Sequence, residues 1–252
     1  MSAKSAGVVL ITGASRGIGA ATARLAAKRG YDVAVNYVSN EAAAKKVVGE
    51  VEAAGRRAIA VKADVADERE VVAMFETVDA ELGTVTALVN NAGVLETQAR
   101  VEAVDAARLH RILAVNVVGT FLCAREAVRR MSTRRGGPGG AIVNVSSMAA
   151  RLGSGGEYVD YAASKGAVDT FTIGLSREVA DEGIRVNAVR PGLIYTDIHA
   201  NGGEPGRVDR IKHSVPMRRG GHASEVASGI LWLLSDEASY VTGAFIDLAG
   251  GR

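Results

Sequence analysis

Tyr161 and Lys165 stand four residues apart in Tyr161-Ala-Ala-Ser-Lys165. On a helix, steps of about 100° per residue return both side chains to one face. An ammonium held there favours a phenolate, and so draws a phenol pKa of about 10 toward the working range. A hydroxyl tuned in this way both gives and takes a proton. Ser146 and Ser147 supply further hydroxyls where a β-branched run ends. Taken alone, a Tyr–Lys pair at this spacing also suits a packed ring beside a solvated ammonium, so its meaning depends on what positions it.

Short apolar runs alternate with longer stretches of helical period. Val8 to Ile11, Val33 to Asn36, Ala58 to Val61, Ala87 to Asn90, Ala141 to Val145, Arg185 to Val189 and Ala244 to Leu248 hardly alternate in polarity, as strands buried on both faces do. Between them the helical stretches are Ile18 to Arg29, Glu41 to Ala54, Glu68 to Leu82, Asp105 to Thr133, Glu157 to Asp181 and Ser224 to Leu234. Gly30, Gly55, Gly83 and Gly183 are placed to end helices. Alternation of strand and helix predicts an α/β fold, a single Rossmann-type domain over residues 1–252 with a doubly wound parallel sheet.

Ligands of such sheets bind beyond the carboxyl ends of the strands. The first strand runs into Thr12-Gly13-Ala14-Ser15-Arg16-Gly17-Ile18-Gly19 and a helix, a turn where bare backbone can approach a pyrophosphate. It lacks the Gly-Lys-Ser/Thr of a nucleotide-hydrolysing loop. The second strand ends at Asn36-Tyr37 with no acid for a ribose, while Asp32 lies at its start, on the opposite edge. With no carboxylate to repel a 2′-phosphate and Arg16 able to pair with one, NADP(H) is favoured over NAD(H). Asp64-Val65 and Asn90-Asn91-Ala92-Gly93 follow the third and fourth strands on the same edge.

The 252 residues carry 30 basic and 28 acidic side chains spread along the chain, which calls for no nucleic-acid or anionic-membrane partner. Val8 to Ile11 is too short to span a membrane. The lone Cys123 fits a reducing compartment and sits in an apolar helical run, as a structural thiol does. His110, His199, His213 and His222 show no metal-ligand spacing. A cytoplasmic protein without a metal is expected.

Thr12-Gly13-x-x-x-Gly17-x-Gly19, Asn90-Asn91-Ala92-Gly93, Asn116, Ser147, Tyr161-x-x-x-Lys165 and Pro191-Gly192 together resemble the short-chain dehydrogenase/reductase family, over about Gly7 to Arg252. The branch most similar contains 3-oxoacyl-carrier-protein reductases and glucose 1-dehydrogenase-like enzymes. The resemblance implies a seven-stranded sheet in the order 3-2-1-4-5-6-7 and interconversion of a ketone and a secondary alcohol. Tyr161 would be the general acid/base, Lys165 would lower its pKa and bind the nicotinamide ribose, and Ser147 would bond the substrate oxygen. Asn116 would hold a water linking Lys165 to solvent, and Thr196 would meet the carboxamide. The expected cofactor set is Gly13, Ser15, Arg16, Gly17, Ile18, Gly19, Asn36, Tyr37, Asp64, Val65, Asn90, Ala92, Gly93, Tyr161, Lys165, Pro191, Gly192, Ile194 and Thr196.

Ser146 remains an alternative to Ser147. Val94 to Thr97, Met148 to Glu157 and a lid-like stretch from Ile194 to Pro216 are expected to set the substrate. The arginines at 125, 129, 130, 134 and 135, with Arg177, are either an acyl-carrier-protein docking face or a solvated helix end. The helices Asp105 to Thr133 and Glu157 to Asp181 are of the kind the family pairs across subunits, which implies a homotetramer, or a dimer. An NAD-dependent sugar or polyol dehydrogenase and a non-catalytic dinucleotide-binding sensor or scaffold are the alternatives.

Overall fold

A computed structural model describes residues 6–252; residues 1–5 of the expected domain lie outside the described residues. The strands are β1 (Gly7–Ile11), β2 (Tyr31–Tyr37), β3 (Ala58–Lys62), β4 (Val85–Asn90), β5 (Gly140–Val145), β6 (Ile184–Pro191), β7 (Ile194–Tyr195), β8 (Gly221–His222) and β9 (Phe245–Leu248). Seven form a parallel sheet in the order β3-β2-β1-β4-β5-β6-β9, as expected, while β7 and β8 pair separately.

The runs hardly alternate because both faces are covered. Val9, Ile11, Val33 and Val35 belong to one buried cluster, with residues of α1 (Gly17–Lys28) and α2 (Glu41–Ala53). Val8, Leu10, Ala34 and Leu88 belong to the other, against α3 (Glu68–Glu81). Short polar side chains start the helices by accepting orphan N–H groups: Asn40 from Ala43, and Asp67 from Arg69 and Glu70. The four glycines expected to end helices all have positive φ, between 73° and 105°.

The expected helix Asp105 to Thr133 is instead three pieces: α4 (Ala106–Leu113), a π-helical turn (Ala114–Val118) and α5 (Gly119–Met131). Unbroken apolar periodicity conceals such a turn. Where α5 begins, its backbone presses on the residue after Asp64: a Cβ on Gly119 would lie 2.7 Å from Val65 Cγ2 and 3.0 Å from Val65 O. After β5 come α6 (Ala149–Leu152) and α7 (Val159–Glu178). The stretch expected to be lid-like contains α8 (Ile198–Asn201) and α9 (Arg207–Ile211), and α10 (Ala223–Leu234) follows β8.

Asp32 does lie at the other edge. Its buried carboxylate is gripped there by Arg56 and Arg57 at 2.7 and 2.9 Å. No helix among the described residues is long and apolar enough to cross a membrane.

Candidate active site

A cleft of about 900 Å³ runs along the carboxyl edge of the sheet. Gly13, Ser15, Arg16, Gly17 and Ile18 line it from the turn after β1, and Asn36 and Tyr37 from the end of β2. Asp64, Val65, Ala92 and Gly93 follow, then Ser147, Tyr161 and Lys165, and finally Pro191, Gly192, Ile194 and Thr196. Gly19, Asn90 and Asn116 do not line it.

Close packing explains Gly19. A Cβ there would sit 2.6 Å from Gly13 O, so its bareness lets α1 start directly beneath the turn. Gly13 and Gly17 have φ of 61° and 56°, which a side chain would strain. The bare turn at a helix N-terminus, with Arg16 exposed and free of any ion pair among the described residues, fits a phosphate-bearing dinucleotide.

Three asparagines near the cleft have their side chains bonded within the fold. Asn36 accepts from Gly13 N at 3.0 Å and donates to Val61 O and Ala63 O, so its amide ties the turn to β3. Asn90 donates to Asn144 Oδ1 at 2.9 Å inside the sheet. Its neighbour Asn91 is the one at the cleft, donating to Thr12 O and Gly13 O. Asn116, in the π-helical turn, donates to Val94 O and Ser164 Oγ and accepts from Val94 N, which fixes the loop after β4.

The two serines separate cleanly. Ser146 Oγ is buried and donates to Lys165 O, whereas Ser147 lines the cleft with Tyr161, and its hydroxyl acts to lower the phenol's pKa. Tyr161 and Lys165 share one face of α7, with Lys165 Nζ 5.7 Å from the ring centroid. Lys165 Nζ donates to Val145 O at 2.8 Å. It also faces Gly93, where a Cβ would stand 3.5 Å from Nζ and 3.4 Å from Asn116 Oδ1. The neighbouring Tyr158 is buried, its hydroxyl on Gly202 O.

The electrostatics run against the expected lowering of the phenol. Burial pushes Tyr161 up to about 12, opposed only by its bond to Ser147. Burial also pushes Lys165 down to about 8, opposed by Asp169. In the protein alone burial disfavours the charged form of both groups. A phenol so held is a proton donor to a stronger base, such as an oxygen acquiring alkoxide character.

Two features escaped the sequence reading. Ser39 and Asn40 line the same cleft as Arg16, a position signalled only by following the end of β2. The arginine cluster is largely neutralised: Arg125 pairs with Glu68, Arg129 with Glu126, Arg130 with Asp79 and Arg134 with Asp181. Among the described residues, no three His, Cys, Asp or Glu side chains converge as metal ligands would. Cys123 is buried, and desolvation pushes its thiol up to about 12, which removes it as a nucleophile at neutral pH.

Comparison with known proteins agrees with this geometry. Residues 13–252 match the family model described as enoyl-(acyl carrier protein) reductase. The chain is 63% identical over 245 residues to the uncharacterized oxidoreductase YgfF of Escherichia coli, covering 97% of this chain and 99% of that protein. It is 37% identical to the 3-oxoacyl-[acyl-carrier-protein] reductase FabG of Staphylococcus aureus, over 96% of each. Among solved structures, a short-chain dehydrogenase/reductase mutant from Serratia marcescens superposes with a TM-score of 0.90 at 34% identity, covering 98% of both chains. A short-chain type dehydrogenase/reductase from Mycobacterium marinum gives 0.91 at 33% identity, covering 98% of this chain and 95% of that one.

The depressed Lys165 has a consequence for stability. Between about pH 8 and its ordinary value of 10.5 the unfolded chain holds a proton on this lysine that the folded chain has lost. Its contribution to stability therefore rises with pH across that window, and its burden is greatest below pH 8. Lys165→Met should gain stability over wild type near pH 7 and lose much of that advantage by about pH 10, measured by urea unfolding. A difference between the two proteins that does not change with pH would contradict the assignment.

Proposed function

The chain belongs to the short-chain dehydrogenase/reductase family, and from that premise we propose that it is an NADP(H)-dependent oxidoreductase interconverting a ketone and a secondary alcohol. The observation that carries this reading is the Ser147–Tyr161 hydroxyl pair, set in the same cleft as the bare glycine turn. A carbonyl oxygen needs one group to orient it and one to protonate it, and two paired hydroxyls supply both. A bound nicotinamide supplies or accepts the hydride.

In the reducing direction Ser147 orients the oxygen and shares its developing charge, while Tyr161 delivers the proton. Lys165, anchored by Val145 O, holds a positive charge behind the phenol and replenishes its proton. In the oxidising direction Tyr161 must first be a phenolate, which burial opposes. Arg16 and Ser39 would take a 2′-phosphate; the end of β2 offers no carboxylate against it.

The substrate is a small carbonyl or alcohol compound, met by Val94, Leu95, Met148 and Leu152 at the far end of the cleft. An acyl-carrier protein as partner rests on the names of relatives, and the ion pairing of the arginine cluster lends it no support. The lone buried thiol is in keeping with a cytoplasmic protein. Exposed Leu113, Val118, Phe121 and Ile173 on α4, the π-helical turn, α5 and α7 are in keeping with a homotetramer built on those helices.

Tyr161→Phe should lower kcat for carbonyl reduction by at least about 1,000-fold with NADPH affinity little changed, read by NADPH oxidation across diketones, quinones and acetoacetyl esters and by fluorescence titration. Substantial turnover by this variant would sink the mechanism. Arg16→Ala should weaken NADPH binding about ten- to a hundredfold and leave NADH untouched; equal losses for both would reject a 2′-phosphate contact. Sedimentation equilibrium should give four times the chain mass, and a monomer at micromolar concentration would refute the assembly.

A further inference from the structure

The segment that walls the substrate end, residues 91–100, contains no helix or strand, yet side chains pin it at defined points. Val94 is held on both its N–H and C=O by the Asn116 amide, at 2.8 and 3.1 Å. Thr97 is held through its carbonyl, which accepts from Arg108 Nη1 at 2.7 Å. Between these anchors lies Leu95, which lines the cleft and abuts the substrate segment, where a Cβ on Gly202 would be 2.9 Å from Leu95 Cδ2.

Arg108 reaches in a second direction. Its Nε donates to Asp160 Oδ2 at 2.5 Å, and the two side chains are only 10% and 2% exposed. The other oxygen, Asp160 Oδ1, accepts from the backbone N–H of Tyr161 at 2.8 Å. Residue 160 is in the first turn of α7, whose N-cap residue Tyr158 makes no side-chain cap. Asp160 thus supplies one of the acceptors that this helix start lacks.

We propose that the buried Arg108–Asp160 pair is a positioning clasp that holds the substrate loop and the Tyr161 turn in one register. The inference rests on the functional reading above. A buried ion pair is a poor device for stability, because desolvation offsets its attraction. This one is also incomplete, since Arg108 Nη2 is buried without an acceptor. What the guanidinium does that an apolar side chain could not is bond Thr97 and Asp160 at once through its planar fork. Neither Arg108 nor Asp160 lines the cleft; they act through Leu95 and Tyr161.

Lysine at 108 keeps the charge opposite Asp160 but cannot make both bonds. Arg108→Lys should raise KM for the carbonyl substrate about tenfold and change kcat by less than about threefold, with NADPH affinity unaltered. Amide exchange in residues 94–99 should quicken about tenfold while β5 stays protected. Arg108→Met alone strands a buried carboxylate and is expected to fold poorly. In the double variant Arg108→Met/Asp160→Asn both charges go, so the melting temperature should return close to wild type while KM and loop exchange stay raised. Recovery of KM together with melting temperature, or an unchanged KM and loop in Arg108→Lys, would reduce the pair to a structural one and overturn the proposal. Should the wild type reduce no carbonyl compound, the functional reading fails alone, and loop exchange still decides the clasp.

Discussion

Backbone groups at the carboxyl edge of a parallel sheet run out of ladder partners, and this protein satisfies them with three short side chains. Thr12 Oγ1 accepts from the N–H groups of Asn91 and Ala92 at 3.0 and 2.9 Å. Asn91 returns two bonds to Thr12 O and Gly13 O. Asn36 closes the other side, joining Gly13 N to the carbonyls of Val61 and Ala63. Buried polar groups left unpaired are costly, so these bonds fix the glycine turn against β2, β3 and β4 together. The turn's shape is therefore a property of four strand ends rather than of its own glycines.

Onto that rigid edge Tyr161 and Lys165 are set with pKa shifts of opposite sign. Burial disfavours the charged form of each, so Tyr161 holds its proton while Lys165 is ready to give one up. The two are not equivalent in what they can do near neutral pH. A phenol with a raised pKa still gives its proton to an alkoxide, which is the stronger base, and a lysine near 8 can replace it.

Sequence patterns that reflect burial or helical spacing were legible. Seven strands followed from runs apolar on both faces, their order from the family resemblance, and the Tyr161–Lys165 pair from a spacing of four. Asparagines were not legible, because what an amide bonds is decided by which backbone ends meet it in space. Asn36, Asn90 and Asn116 all lie near the site, and all three spend their side chains on structure. Between Ser146 and Ser147 the resemblance favoured the second, while residue types alone left both open: adjacent residues leaving a strand point to opposite sides, and the packing of α7 puts Ser147 on the cleft side with Tyr161. The π-helical turn left no mark on the apolar periodicity.

The two ends of the cleft are built by different means. The cofactor end uses backbone and short amides and hydroxyls, whose positions follow directly from the sheet. The substrate end is irregular chain held by long charged side chains. Arg207 grips Glu157 and also pairs with Glu204 at 3.2 Å, Gln98 meets Glu204 at 2.7 Å, and Arg108 meets Asp160 at 2.5 Å. These bonds cross between α4, the loop after β4, the approach to α7 and the segment around α8 and α9, which contribute no buried member to the two core clusters of the main sheet. Exchanging such side chains can reshape the substrate end without disturbing the strand ends that hold the glycine turn. One frame can thereby keep the Ser147, Tyr161 and Lys165 geometry while the far wall of the cleft changes.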